Sequence, residues 1–586
     1  MRQWMVAAKK ADFYAIAEKF HVDPVVARII RNREVIGEKN IRIYLGGNLS
    51  DLSDPHQMKD MDRLVEILAQ KIRKQVHIRI IGDYDVDGVT SSHLFLTALR
   101  RVGAKVDVVI PHRIQDGYGL SLHLLQQAKE DGVDTILTCD NGIAAIDEIA
   151  WAKAQKMTVL VTDHHAVPFE EHEGRRTEKK SLADAVVNPH QQDCGYPYKE
   201  LCGAGVAWNV IRVLYENYDM DKREAEDLLD FVAMATVCDV MSLTGENRIL
   251  VKEGLKRIRH TKNIGLQALM QACNVQPENI SAYHFGYVLG PCVNATGRLD
   301  TARHALRLFE TGQETEAEEI ARDLVDLNQE RKELTLQGVE MAKKLCEEGG
   351  YENDPVLVLF LPDVHESIAG LIAGRIREMY NRPVFVLTRG EEGVKGSGRS
   401  TKNYSMYENM CGCAELFTKF GGHPMAAGLS LPEENVEKFR RKINENCPLT
   451  VEEVCPDIHI DMAMPVGYAS TELVHQFALL EPFGKDNPSP LFADRNLSIS
   501  RMWLIGKNRN VLRMSVLSEY GQPVPVIFFG DVETLFAYFT EKFGQKEVEN
   551  ALHGRKNRIL FSMVYTAKID FYQGNENLQL EMKYYR

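Results

Sequence analysis

The sequence predicts an α/β protein: two α/β domains joined by a long connector helix and followed by a small C-terminal β-barrel. Three observations carry this. Between Val76 and Val187, short apolar runs alternate with helical stretches, the pattern of a parallel sheet wrapped by helices. A second alternation of the same kind begins at Pro355. From Leu491 onward the pattern turns to strands, with one helical insert near 530–543. The expected divisions are 1–75, 76–312, 313–349, 350–447 and 448–586. At 586 residues the chain exceeds the ~250–300 residues at which a single core stops growing, so several domains are expected.

Residues 1–75 read as a mostly helical lead-in that packs on the rest of the chain. Phe13, Ile16, Ala17 and Phe20 keep helical spacing, as do Leu64, Val65 and Leu68. Val76 to Ile81 alternates and ends in two isoleucines, as a strand entering a core does. Lys105–Ile110, Val133–Cys139, Met157–Thr162 and Ala185–Val187 are the next strand candidates, with a helix over Ile143–Ala154. Two helices are expected over Gly203–Tyr218 and Asp221–Val240. The charged stretch 313–349, with Ile320, Leu324, Leu327, Leu334 and Leu345 as its apolar contacts, spans roughly 50–55 Å if it is one helix. A coiled coil is the weaker reading, because the heptads are irregular and Gly338 interrupts them.

The second α/β unit reads as strand Val356–Phe360, helix His365–Tyr380 and strand Pro383–Leu387. A glycine-rich segment, Gly393–Arg399, and a glycine-rich turn, Gly421-Gly422-His423, come next. Pro448, Pro456, Pro465, Pro482, Pro488 and Pro490 mark a boundary. The strands after it suit a barrel of the oligonucleotide-binding type; a plain β-sandwich fits the pattern nearly as well.

Composition narrows the function classes. Hydrophobic content of 44% and charged content of 26% are ordinary for globular proteins. No apolar run approaches the ~18–20 residues of a membrane span, and Lys9-Lys10 ends the N-terminal apolar run, so no signal peptide is expected. The eleven cysteines are scattered, which points to reduced thiols in a cytoplasmic protein without a zinc ribbon or a disulfide framework. A net charge of −13 excludes a histone-like coat for nucleic acid, but not an enzyme whose metal cluster concentrates negative charge.

The chemistry-bearing residues fall at strand ends. Asp83, Asp85 and Asp87 follow the first strand, Asp140-Asn141-Gly142 the third, and Asp163-His164-His165 the fourth. Ligand sites of parallel sheets lie beyond the carboxyl ends of the strands, so one crevice can collect Asp85, Asp87, Asp140, His164 and His165. Asp239 stands alone in the apolar run F-V-A-M-A-T-V-C-D-V-M, where burial is costly unless it is paired or binds metal; an exposed helix end is the alternative. Such a mixed N/O set suits Mn²⁺ or Mg²⁺. Its size allows two ions bridged by one carboxylate, the usual apparatus for in-line attack on phosphorus. Lys395-Gly396-Ser397-Gly398-Arg399 fits a phosphate cradle, with a mobile hairpin as the alternative. Neither a Walker loop nor a dinucleotide fingerprint is present, so no nucleotide cofactor is expected.

Taken together, Asp85-Val86-Asp87-Gly88, Asp140-Asn141-Gly142, Asp163-His164-His165 and Val237-Cys238-Asp239 resemble the four motifs of the DHH phosphoesterase superfamily. Gly421-Gly422-His423 resembles the associated DHHA1 domain. The segment G-P-C-V-N-A-T-G-R from Gly290 to Arg298, and the terminal domain entered by Pro482-Phe-Gly-Lys-Asp-Asn-Pro488, look like the single-strand-specific exonuclease branch of that superfamily. The resemblance implies a 5′→3′ exonuclease that hydrolyses single-stranded DNA to 5′-mononucleotides in repair and recombination. It implies metal ligation by Asp85, Asp87, Asp140, His164 and Asp239, with Asp140 as the bridge. His165 then sits by the scissile phosphate and Asp163 supports the imidazoles. Arg113, Arg298, Ser397 and Arg399 lie near the 5′-terminal phosphate, and His423 approaches the DNA end. The barrel holds downstream strand by stacking and charge. A single-strand-binding protein and a helicase are the implied partners; no membrane partner is expected.

Two positions depart from the family pattern. Ile81 stands where many relatives have His, so one metal site is expected to be weaker, or completed by Asp83 or water. Cys292 stands where relatives often have Arg. The chain ends at Arg586 just after the strands, so the further C-terminal domain of some members is expected to be lacking. The rival readings are a phosphodiesterase of short oligonucleotides or cyclic dinucleotides, an inorganic pyrophosphatase (disfavoured by length), and a catalytically silent single-strand-binding scaffold.

Overall fold

The computed structural model of the protein describes residues 3–112, 116, 119–172, 175–299, 301–351, 353–390, 393–449, 457–506, 509–572 and 574–586. The chain divides into two compact units. One comprises residues 1–2, 53–241 and 253–456; the other comprises 3–52, 242–252 and 457–586.

In the first unit, β1 (Ile78–Ile81), β2 (Val106–Val109), β3 (Thr135–Cys139), β4 (Thr158–Thr162) and β5 (Ala185–Val187) form a sheet in the order β2-β1-β3-β4-β5. Every pairing is parallel. All residues of β1 and β3 are buried, which is why these strands read as apolar runs rather than alternations. The charged residue among them, Arg79, is satisfied by Asp107 and Asp131 at 2.7–2.9 Å. Helix α1 (Val86–Arg101) follows β1 and packs against α2 (Gly203–Asn217) and α3 (Leu229–Cys238). The helix expected over 221–240 is broken into Lys222–Glu226 and α3. The Ala225 carbonyl accepts the Trp208 indole N–H at 2.7 Å and the Leu228 N–H at 3.2 Å, and this tight closure ends the first piece.

Helix α4 (Gly290–Leu299) leads toward α5 (Glu314–Glu348), which is continuous over 35 residues, about 52 Å. Its first half buries Ala317, Ile320, Ala321 and Leu324 beside α4 and the helices Ile264–Ala272 and Ala302–Glu310. Its second half shares a core with α6 (Ala369–Tyr380) through Val339, Ala342 and Cys346. It is a connector, not a coiled coil. Gly338 does not interrupt it; a Cβ there would lie 2.3 Å from Ile372 Cδ1, so the glycine lets the two helices approach.

A second sheet holds β6 (Leu357–Phe360), β7 (Val384–Gly390), β8 (Gly393–Arg399), β9 (Lys419–His423) and β10 (Ala426–Leu431), in the order β9-β10-β8-β7-β6. Only β6 and β7 run parallel. Both glycine-rich segments are therefore strands, neither a loop nor a turn. A Cβ would bring Gly396 to 2.4 Å from Leu387 Cδ2 and Gly398 to 2.5 Å from Met406 Sδ. The glycines thus face the packed side, and Lys395, Ser397 and Arg399 alternate to the other.

The second unit contains β11 (Met462–Ala463), β12 (Phe492–Ile505), β13 (Val511–Leu517), β14 (Pro523–Phe528), β15 (Leu560–Tyr572) and β16 (Asn575–Tyr585). Their order is β11-β12-β13-β14-β16-β15, and an added β12–β15 pairing closes the ring. That closure gives a barrel of the oligonucleotide-binding type and rules out the sandwich. The β14–β16 pair is parallel, and helices Val532–Phe543 and Gln545–Leu552 sit between β14 and β15 in sequence. Val25, Val26, Ile29 and Ile30 of the helix Pro24–Asn32 share one core with Met502, Met514, Val526 and Met563 of the barrel. No described helix is long and apolar enough to cross a membrane.

Candidate active site

The three adjacent strands β1, β3 and β4 end together, and the residues just beyond them meet. Asp85 caps α1, its carboxylate accepting the Gly88 N–H at 3.1 Å. Asp87, in the first turn of α1, accepts the N–H groups of Gly203 and Ala204 at 2.6 and 2.7 Å. The N-termini of α1 and α2 thus both point their partial positive charge at one pocket. Asp140 follows β3 with φ of 62°, a left-handed conformation that Asp tolerates better than most residues. A Cβ on Gly203 would lie 2.6 Å from Asp140 Cβ, so glycine is needed where α2 starts.

Asp163 follows β4 and acts as an anchor. It accepts the Ile143 N–H at 2.9 Å, the main-chain N–H groups of His164 and His165 at 2.7 and 3.1 Å, and His165 Nδ1 at 2.8 Å. It therefore holds the His165 ring directly, and His164 only through its backbone. His164 Nε2 faces Asp140 Oδ1 at 3.0 Å, Asp87 Oδ2 at 3.6 Å and Asp239 Oδ2 at 3.7 Å. Asp239 is neither buried alone nor a free helix end: it ends α3 half-buried and completes this ring.

Burial, and then the neighbouring carboxylates, raise Asp83 and Asp140 well above the ordinary carboxylate range and raise Asp85 as well. Burial pulls His164 down. Burial also works against charging His165, but its hydrogen bond to Asp163 and the surrounding acids push it up to about 9. Crowded acids of this kind call for a cation. Among the described residues, three overlapping groups have ligand atoms within 4.8 Å of one another: Asp140-His164-His165, Asp87-His164-Asp239 and Asp83-Asp85-Asp140. The buried atoms Asp83 Oδ1 and His164 Nε2 have no hydrogen-bond partner, as lone pairs aimed at an ion would not. Burial pushes the nearby Cys139 thiol up to about 12 and Cys202 well up too, so sulfur stays protonated and the donor set is hard oxygen and imidazole. The residues fit a divalent ion of the Mn²⁺ or Mg²⁺ kind.

A cavity of about 500 Å³ lies in the same unit. Tyr84, Arg298, Lys395, Ser397, Arg399 and Lys419 are among its lining residues. Arg298 Nη1 donates to the Ser367 carbonyl at 2.7 Å, tying α4 to the turn that starts α6. Arg399 Nη1 donates to Ser397 Oγ at 3.1 Å. A Cβ on Gly370 would lie 2.7 Å from both Arg399 Nη2 and Ser397 Oγ, so the first turn of α6 closes on that pair. A guanidinium, a hydroxyl and a helix N-terminus are groups that can hold a phosphate.

The structure thus gathers Asp83, Asp85, Asp87, Asp140, Asp163, His164, His165 and Asp239 in one place, and Arg298, Ser397 and Arg399 in another. His423 is exposed at the hairpin end of β9 and does not line the cavity. Arg113 lies outside the described residues. Ile81 is buried in the core with Leu120 and Ile143. Cys292 faces inward, its Sγ 3.8 Å from Cys273 Sγ. Lys395, part of the expected cradle, does line the cavity; sequence reasoning missed Gly203 and Ala204 as donors to Asp87, and Lys419 as cavity lining. It also missed Asn294, whose Oδ1 accepts the Val86 N–H at 3.1 Å, and Gly297, where a Cβ would lie 2.3 Å from the Tyr84 carbonyl. The small residues of A-T-G-R were the available signal for that close approach.

Fold and site define a phosphoesterase of the DHH class. The models of the DHH family N-terminal domain, the DHHA1 domain and the RecJ OB domain match residues 77–236, 353–447 and 460–584. The chain belongs to the RecJ family of single-stranded-DNA-specific exonucleases. It is 32% identical to the RecJ exonuclease of Haemophilus influenzae over 96% of each chain. It is 33% identical to that of Bacillus subtilis over 87% of this chain, and there it spans 63% of the relative's length. A crystal structure of RecJ from Thermus thermophilus in complex with Mn²⁺ matches with a TM-score of 0.81 at 25% identity, covering 100% of this chain and 79% of the other.

Proposed function

We propose that the protein hydrolyses single-stranded DNA from its 5′ end, releasing 5′-mononucleotides, with two divalent ions, Mn²⁺ or Mg²⁺, held by Asp85, Asp87, Asp140, His164 and Asp239. One observation carries the reading: the acids and imidazoles after β1, β3 and β4 meet Asp239 in the same unit as a cavity lined by Arg298, Ser397 and Arg399. Asp140 and His164 each belong to two of the three ligand groups; of the two, the Asp140 carboxylate, with two oxygens, would be shared between the ions, and Asp83 would complete the site where Ile81 offers no ligand. Bound ions supply an activated water and neutralise the charge that develops on the phosphoryl oxygens. His165, whose ring is fixed by Asp163, donates to the scissile phosphate. Arg298, Ser397 and Arg399 receive the 5′-terminal phosphate and so set which bond lies at the metals. The barrel holds the downstream strand; Trp503, flanked by Arg501 and Arg513 at 5.7 and 5.8 Å, is a stacking and charge element for it. The reading goes with a cytoplasmic repair and recombination role, beside a helicase and a single-strand-binding protein.

End-labelled single strands test it. With Mn²⁺ or Mg²⁺ the label is released from the 5′ end, and EDTA stops release. Asp140→Ala lowers turnover on the order of 10³-fold or more while DNA is still bound. Wild-type turnover in that variant refutes the site.

A further inference from the structure

Residues 282–299 form one helical run: Ala282–His284, a π turn over Phe285–Leu289, then α4. Its inner face is fixed, because Phe285 and Leu289 are fully buried. Its outer face carries Tyr283 and Tyr287, which are 62% and 70% exposed. Their rings are stacked, with centroids 5.1 Å apart and planes 22° from parallel. Two tyrosines this open bury little against the protein, so the core does not explain them.

Their place does. The Cys238 thiol donates to the Phe285 carbonyl at 3.3 Å, and a Cβ on Gly290 would lie 2.3 Å from Cys238 Sγ. The π turn is therefore seated on the end of α3, one residue before Asp239. Further along the same run, Asn294 binds the start of α1 beside Asp85, and Arg298 lines the phosphate cavity. From Tyr287 to Arg298 the helix advances about 16 Å. One rigid rod thus runs from an exposed aromatic pair, past the acidic pocket, to the phosphate cavity.

We propose that Tyr283 and Tyr287 form a base-stacking platform for single-stranded DNA, engaging bases up to about five nucleotides from the 5′-terminal phosphate at stacked rise. The polarity rests on the function proposed above. An aromatic face stacks on every base, the tolerance that an enzyme moving along arbitrary sequence requires. At i and i+4 the two rings lie side by side on an otherwise well-packed helix, next to a π turn, a device frequent at functional sites.

The experiment measures binding and cutting separately on the full chain. Binding of a fluorescent 20-nucleotide strand is read by anisotropy in EDTA, where nothing is cut, and KM and kcat are read with Mn²⁺. The Tyr283→Ala/Tyr287→Ala variant is expected to weaken binding and raise KM at least about fivefold with kcat little changed. The Tyr283→Phe/Tyr287→Phe variant, which still stacks, stays within twofold of wild type. A strand abasic at its third to fifth nucleotides loses affinity for wild type and loses no more for the alanine variant. Wild-type binding by the alanine variant overturns the platform, as does an equal loss in both variants, and a protein-docking face is then the better account of the pair. A wild-type protein that binds but does not cut refutes the nuclease reading; the anisotropy series then still decides the platform.

Discussion

His93 and Arg399 show how single side chains are tuned by their surroundings. His93 lies in the middle of α1, packed on Phe231 and Phe309 at 4.5 and 5.8 Å, with Nδ1 unpartnered. Burial, with help from Arg100, brings its pKa down to about 3. The unfolded chain takes up this proton below about 6.5 and the folded chain does not until about 3, so stability falls as pH drops through that window. At pH 4 the loss from this one group is on the order of 3 kcal/mol. Denaturant unfolding of His93→Phe, which keeps a ring in place, should show a shallower decline between pH 7 and 4 than wild type; parallel curves contradict the assignment. Arg399 is a cation placed beside Ser397 at the cavity. Arg399→Ala should reduce the preference for a 5′-phosphate over a 5′-hydroxyl strand roughly 10- to 100-fold, as the loss of a charge-assisted bond does, and an unchanged ratio removes it from the cavity's chemistry. The residues that carry charge were legible from their types and spacing. The groups that hold them were not: the donors to Asp87 are main-chain N–H groups of Gly203 and Ala204, and a backbone donor has no sequence signature.

At the scale of elements, α4 and β8 show what small residues do. Gly297 of α4 packs against the Tyr84 carbonyl, between Asp83 and Asp85. In Gly297→Ala the added methyl would meet main chain at 2.3 Å, so helix or acidic turn must move. Overpacking of this kind costs about 1–3 kcal/mol, more than the ~1 kcal/mol gained in helix propensity. Thermal unfolding should show a lower Tm, and isothermal titration a weaker Mn²⁺ affinity; a variant as stable and as tight as wild type argues against the contact. In β8 the alternation K-G-S-G-R was a strand signal of period two, hidden because glycine reads as a loop-former. The glycines leave room for Leu387, Phe385 and Met406 on one face, and Ser397 and Arg399 use the other. The parallel strands β1 to β5 and the long helix α5 were legible because apolar runs and helical spacing report burial directly. The break before α3 was not, because it depends on a distant indole, Trp208, taking a carbonyl.

At the scale of the whole molecule, the second unit is discontinuous. The helix Pro24–Asn32 gives Val25, Val26, Ile29 and Ile30 to the same core as the barrel, and Arg33 pairs with Asp461 at 3.0 Å. Helical periodicity shows that these residues have an apolar face; it carries no information about what covers it. A fragment of residues 457–586 alone should therefore be poorly folded, with broad amide signals and dye-accessible apolar surface. Adding residues 3–52 in trans, or fusing them by a linker, should sharpen the spectrum. A fragment that is cooperative and well dispersed without them contradicts the shared core.

That shared core also sets the order of events during synthesis. At ~5–20 residues per second, the ribosome needs roughly half a minute to two minutes to make the stretch between residue 52 and the terminal strands. Throughout that interval the nascent protein displays Val25, Val26, Ile29 and Ile30 without their eventual partners. The first helices to emerge wait for the last strands, a natural holding point for a chaperone.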